Sequence, residues 1–196
     1  EPVPFGQVIR DGGEAVQFYV NQLRTLEAFV EDWTATHEFA HLLIPYVEAD
    51  EKWISEGLAS YYQNVLMARG GRYTAAKAWQ KIIEGFRRGE QSVPHLSLEN
   101  AMPIGGWAGI MKTYWGGAAV FLMADVELRH RTGNKTSLDS VLARLQQCCL
   151  PSPRSWDGAR LFKKLDALAA EPVFTPLYEK YRGQRAFPDR KSTRLN

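Results

Sequence analysis

The chain has 196 residues, 45% hydrophobic, 23% charged and 12% aromatic, enough for one domain with a substantial core. Its 24 basic and 22 acidic residues leave a formal charge of +2, which gives no electrostatic basis for binding nucleic acid or an anionic membrane surface. No apolar run reaches the ~18 residues of a bilayer span, and the adjacent pair Cys148-Cys149 makes no disulfide framework and bridges only with strain, so two thiols near the core are expected.

The chain opens on Glu1-Pro2-Val3-Pro4, without an initiator Met or a signal-peptide pattern, so it reads as a processed chain or an excised piece whose compartment is not legible. Phe5–Ile9 and Ala15–Val20 carry strand composition on either side of the turn signal Asp11-Gly12-Gly13. The period then changes. Leu26, Phe29, Val30, Trp33, His37, His41 and Ile44 recur mostly at three- and four-residue steps, predicting one helix that Pro45 stops. A second helix is predicted from Trp53 to Arg69, ended by Gly70-Gly71, and a third from Thr74 to Arg88.

From Gly89 to Gly109 the prolines and glycines predict loop. A long apolar helix follows from Thr113 to His130, with Gly133 as its C-cap. Thr136–Asp139 has the form of a capping box for a helix reaching Gln147, and shorter helical patterns cover Trp156–Ala169 and Pro172–Tyr181. The polar stretch 184–196 is expected to be a mobile tail, its last six residues a non-native extension. The fold class is therefore α+β, mostly α-helical, with a small N-terminal β element and one domain over residues 1–183.

The chemistry concentrates in His37-Glu38-Phe39-Ala40-His41. Helical geometry puts the two histidines on one face, a turn apart, where both can reach one metal ion. Glu38 is turned about 100° away, beside the metal and not on it, where a base takes a proton from a metal-bound water. A catalytic zinc usually takes three protein ligands, and Glu56, fifteen residues past His41 at the start of the next helix, faces back if the two helices are antiparallel neighbours. Glu56 equally suits a helix N-terminus through the helix dipole. Glu48, Asp50 and Glu51 are weaker ligand candidates, as charged residues of a connecting loop. Tyr114 is either an oxyanion donor or a core aromatic with a satisfied hydroxyl. His95 and His130 have no ligand partners at metal spacing. Trp107 and Trp115 read first as core aromatics, then as walls of a cleft.

The helix with His37-Glu38-x-x-His41, followed by Trp53-Ile54-Ser55-Glu56-Gly57, resembles the gluzincin metallopeptidases. Trp53–Tyr62, Tyr114–Asp139, Phe174–Gly183 and Phe187-Pro188-Asp189 resemble most the glycyl aminopeptidase family. The resemblance implies a thermolysin-like zincin catalytic core, one Zn2+ per chain bound by His37, His41 and Glu56, Glu38 as general base, and Tyr114 stabilising the oxyanion. It implies a peptide or protein substrate and leans toward an extracytoplasmic setting. The departures are a short spacing from His41 to Glu56, Gly116 where the family has lysine, and Gly12-Gly13-Glu14 as an imperfect match to its amine-binding strand. The family's flanking domains have no counterpart, so the chain reads as the catalytic core of a longer protein.

Three readings are open at this stage. The chain is a zinc peptidase, a zinc-binding relative that binds peptides or proteins without cleaving them, or a metal-free helical interaction domain.

Overall fold

The computed structural model of the chain describes residues 1–11 and 13–189. Strands β1 (Phe5–Ile9) and β2 (Ala15–Tyr19) pair antiparallel from Phe5↔Tyr19 to Ile9↔Ala15. Arg10 and Glu14 close the hairpin with an ion pair of 2.8 Å; Gly12 of the expected turn lies outside the described residues. The rest is helical, so the class is α+β, with a small antiparallel sheet beside a helical body. No helix among the described residues is long and apolar enough to cross a membrane.

The single helix expected over Leu26–Ile44 is two: α1 (Leu26–Glu31) and α2 (Thr34–His41). Asp32 is extended, with ψ 132°, and its Oδ1 accepts the Thr34 N–H at 2.7 Å. The side chain thus caps α2 and breaks the run. The two halves no longer share a face, which leaves Leu26 74% exposed while His37 is 3% exposed. Helix α2 also stops at His41, short of Ile44. Arg10 reaches over from the hairpin and donates to the carbonyls of His41 and Ile44 at 2.7 and 3.0 Å, satisfying groups that a helix end leaves bare.

Helices α3 (Lys52–Arg69), α4 (Ala75–Gln91) and α6 (Ile110–Arg131) form the centre. Helices α3 and α6 cross at two glycines. A Cβ on Gly57 would fall 2.4 Å from the Gly117 backbone, and one on Gly117 would fall 2.0 Å from the Trp53 carbonyl oxygen. Only bare backbone permits that approach. Trp115 lies in the same way against Gly85 of α4. The Gly89–Gly109 stretch, expected as loop, holds α5 (Leu98–Gly105) and a short 3-10 turn. Pro103 lies inside α5 and has no N–H for the Glu99 carbonyl four residues back, so the helix is short, and Leu98 and Ala101 bury one side. Leu98 occupies the space beside Gly116: a Cβ there would meet its Cδ2 at 2.4 Å.

Helix α7 (Leu138–Cys149) starts one residue later than expected. Its capping box is Ser137 with Ser140, because Thr136 bonds back to Thr132. Asp139 instead accepts from the Tyr62 hydroxyl and, through both oxygens, from Arg69. Cys148 and Cys149 are joined as a disulfide and are not the two free thiols expected; Leu150 leaves the helix extended just after them. Helices α8 (Gly158–Ala169) and α9 (Phe174–Tyr181) pack their aromatics on Trp53. Glu51 pins the α2–α3 connection to them, accepting from the Gly158 N–H and the Tyr178 hydroxyl. Of the expected tail, residues 184–189 lie against the body, with Phe187 against Phe86 and the Arg185 carbonyl accepting from Lys112 at 2.6 Å. Residues 190–196 lie outside the described residues.

Gly57→Ala should lower stability by about 1–3 kcal/mol, because the methyl meets backbone that cannot rotate away; chemical denaturation measures it. Hydrogen bonding from Arg69, against opposing burial, holds the Asp139 carboxyl below its ordinary pKa. A depressed folded-state value stabilises above the unfolded pKa, and the gain is lost as pH falls through the folded one. Asp139→Asn should therefore flatten the acid limb of the stability–pH curve below about pH 4.

Candidate metal centre

Helix α2 presents His37 and His41 one turn apart, their ring centroids 4.9 Å from each other. Helix α3 runs back past them and places Glu56 opposite. Glu56 Oε2 is 3.2 Å from His37 Nε2 and 3.6 Å from His41 Nε2. One ligand atom from each residue lies within 4.8 Å of the other two, the arrangement of a possible metal-holding group among the described residues. Donors bonded at ~2.1 Å in a tetrahedron stand about 3.4 Å apart. The observed contacts bracket that spacing, and two imidazoles with one carboxylate are a borderline-soft donor set that suits zinc. The three residues therefore fit such an ion.

The sequence reading did not include Gln63. It sits two turns beyond Glu56 on the same face of α3, and its Oε1 is 2.7 Å from His37 Nδ1. A carbonyl oxygen there accepts the Nδ1 hydrogen, which leaves Nε2 facing Glu56: protonated it donates to the carboxylate, and deprotonated it has a lone pair for an ion. The i, i+7 spacing from Glu56 was the available signal. Without knowing that α2 lies against that face, it marks only one buried polar residue among several.

Electrostatics follow from burial and from Glu56. Burial works against a charged His37, but the Glu56 carboxylate, with help from Gln63 and Glu38, outweighs it and raises the His37 pKa. His41 is lowered to about 4, chiefly by burial, and so is neutral at pH 7. Burial opposes ionisation of Glu56 also, yet hydrogen bonding and charge from the two histidines keep its pKa below the usual value. Two imidazoles facing one carboxylate form a group that could hold a cation.

Glu38 stands outside the three-donor group but in the same cleft. That cleft, of about 320 Å³, is lined by His37, Glu38, His41, Glu56, Tyr114 and the β1 segment from Phe5 to Val8. Gly6 makes room for Glu38, since a Cβ there would lie 2.6 Å from the Glu38 Cγ. Burial raises the Glu38 carboxyl pKa. Tyr114, at the start of the second turn of α6, stacks on His37 with ring centroids 5.7 Å apart. Burial and the Glu56 charge beside it push its hydroxyl pKa far up.

The structure thus brings together all five candidates: His37, Glu38, His41, Glu56 and Tyr114. It leaves others apart. Glu14 is turned to Arg10, and Glu51 has a structural task between α8 and α9. His95 is exposed, and Trp107, expected in the core, is 89% exposed. Trp115 is buried as expected. No protein-family model matches the chain, and no curated protein matches it.

Gln63→Leu removes the acceptor from His37 while leaving the three donors in place. It should weaken zinc affinity by about 10–100-fold, measured by competition against a chromogenic chelator.

Proposed function

We propose that the chain is a zinc-dependent peptidase with a gluzincin-like, thermolysin-like catalytic core over residues 1–183. The observation that carries this reading is the placement of Glu38. A carboxylate stands beside the His37–His41–Glu56 group, in its cleft but outside the ligand set, and a purely structural metal site has no use for such a base.

His37, His41 and Glu56 would hold the ion. Zinc there supplies Lewis-acid polarisation of a carbonyl and a more acidic water. Glu38 takes the proton from the attacking water and passes it to the amine as the C–N bond breaks, so that one carboxylate is base and then acid. Tyr114 donates its hydroxyl hydrogen to the oxygen on which negative charge develops. Gln63 keeps His37 in the tautomer that ligation needs. Strand β1 pairs with β2 on one side only among the described residues, and its backbone along the cleft suits an extended peptide laid beside it.

Glu38→Gln should retain zinc at one ion per chain while hydrolysis of a mixed peptide library falls by about 10²–10⁴-fold. Unchanged turnover in this variant would sink the mechanism. Zinc binding with no turnover by the unsubstituted protein would favour the non-catalytic relative. Tyr114→Phe should lower kcat by about 10²-fold with KM little changed.

A further inference from the structure

A second pocket, of about 310 Å³, opens on the other side of Tyr114 between α3, α4 and α6. It shares Tyr114 with the cleft and includes Gln63, the hydrogen-bond partner of His37. A group bound in it therefore adjoins the candidate metal centre.

Its lining is polar at the bottom and cationic at the side. Ser60 is 1% exposed, and its Oγ has no hydrogen-bond partner. An orphaned buried hydroxyl is costly to bury, and a polar ligand would recover that cost. Asn64, 2% exposed, gives its amide N–H to the Ser60 carbonyl at 3.3 Å. On α4, Lys81 and Arg88 are two turns apart on the wall of the pocket. Lys81 Nζ lies over the Tyr73 ring at 5.2 Å and the Arg88 guanidinium over the Trp115 ring at 5.5 Å. Neither is in an ion pair with a carboxylate among the described residues. Glu84, between them, accepts from Gln80 at 3.0 Å. Within the lining two cations held by aromatic faces stand against the single Glu84 carboxylate, with Glu31 and Asp32 acting on Tyr73 beside Lys81; at the Arg88 end a planar guanidinium offers paired donors to a carboxylate.

We propose that this pocket takes a carboxylate of the substrate, either an acidic side chain flanking the scissile bond or a free C-terminus, with Arg88 and Lys81 as its specificity determinants. The proposal rests on the peptidase reading. It adds the substrate class, and it makes Arg88 and Lys81 binding residues and not catalytic ones.

The test uses the zinc-loaded chain and peptide pairs that differ only by Glu or Gln at each position, each made as free acid and as C-terminal amide. Glu should be preferred over Gln by about tenfold in kcat/KM at one fixed position, or amidation should cost about tenfold. The first result assigns the side chain and the second the terminus. Arg88→Met should erase the preference, and Glu84→Gln should enhance it. A readout independent of turnover is the indole resonance of Trp115, titrated with N-acetylglutamate amide, N-acetylglutamine amide and N-acetylalanine free acid. A carboxylate probe should shift it, and the glutamine amide should not. Shifts without hydrolysis of any peptide would retain the pocket and overturn the peptidase reading. Hydrolysis with no charge preference and no carboxylate-specific shift would overturn the pocket, as would a preference that survives Arg88→Met.

Discussion

The site depends on one close contact, the crossing of α3 and α6 at Gly57 and Gly117. Glu56 precedes the first glycine, and Tyr114 lies one turn before the second. Where two backbones touch, the side chains just outside the contact are brought together. Glu56 and Tyr114 meet for that reason, and α2, laid along α3, brings its histidines to the same point. Either glycine enlarged by one carbon would meet backbone at 2.4 Å or less. Interiors are packed too densely to absorb that without moving a helix.

A second layer of constraint holds the shorter elements against this crossing. Arg10 ties the hairpin to the end of α2 through two carbonyls. This keeps β1 over Glu38, where Gly6 leaves space for the carboxylate. Glu51 does the same for the connection between α2 and α3 by accepting from α8 and α9. The hairpin is too small to be stable alone, and the α2–α3 connection has little regular structure of its own. Each is positioned by one charged side chain that has given up solvent for fixed partners. The cost of burying such charges is offset by the hydrogen bonds made.

Much of this was legible in the chain. Both strands were placed within a residue, and the helices α3, α4, α6, α7, α8 and α9 appear near their expected ends, because α3, α4 and α6 carry a long periodicity and α4, α7 and α8 have side-chain N-caps. The failures have local physical causes. Asp32 caps one helix inside what looked like a continuous apolar face, since periodicity does not register a single side chain bonding two residues ahead. Helix α5 was hidden by Pro103 and by Gly105-Gly106, which signal a break without saying that a short helix precedes it. The vicinal cysteines were expected to stay apart and are bonded.

By itself the sequence determined the candidate donors. Two histidines a turn apart with a carboxylate between them follow from the 3.6-residue helical repeat, which acts over five residues and needs no partner. What only the tertiary structure decided was their company. Gln63 behind His37, Gly6 above Glu38, Leu98 in the space beside Gly116, and the pocket across Tyr114 all join residues from separate elements. No periodicity connects them, because each contact is set by how closely two separate elements approach: α2 on α3, β1 on α2, α5 on α6 and α4 on α6.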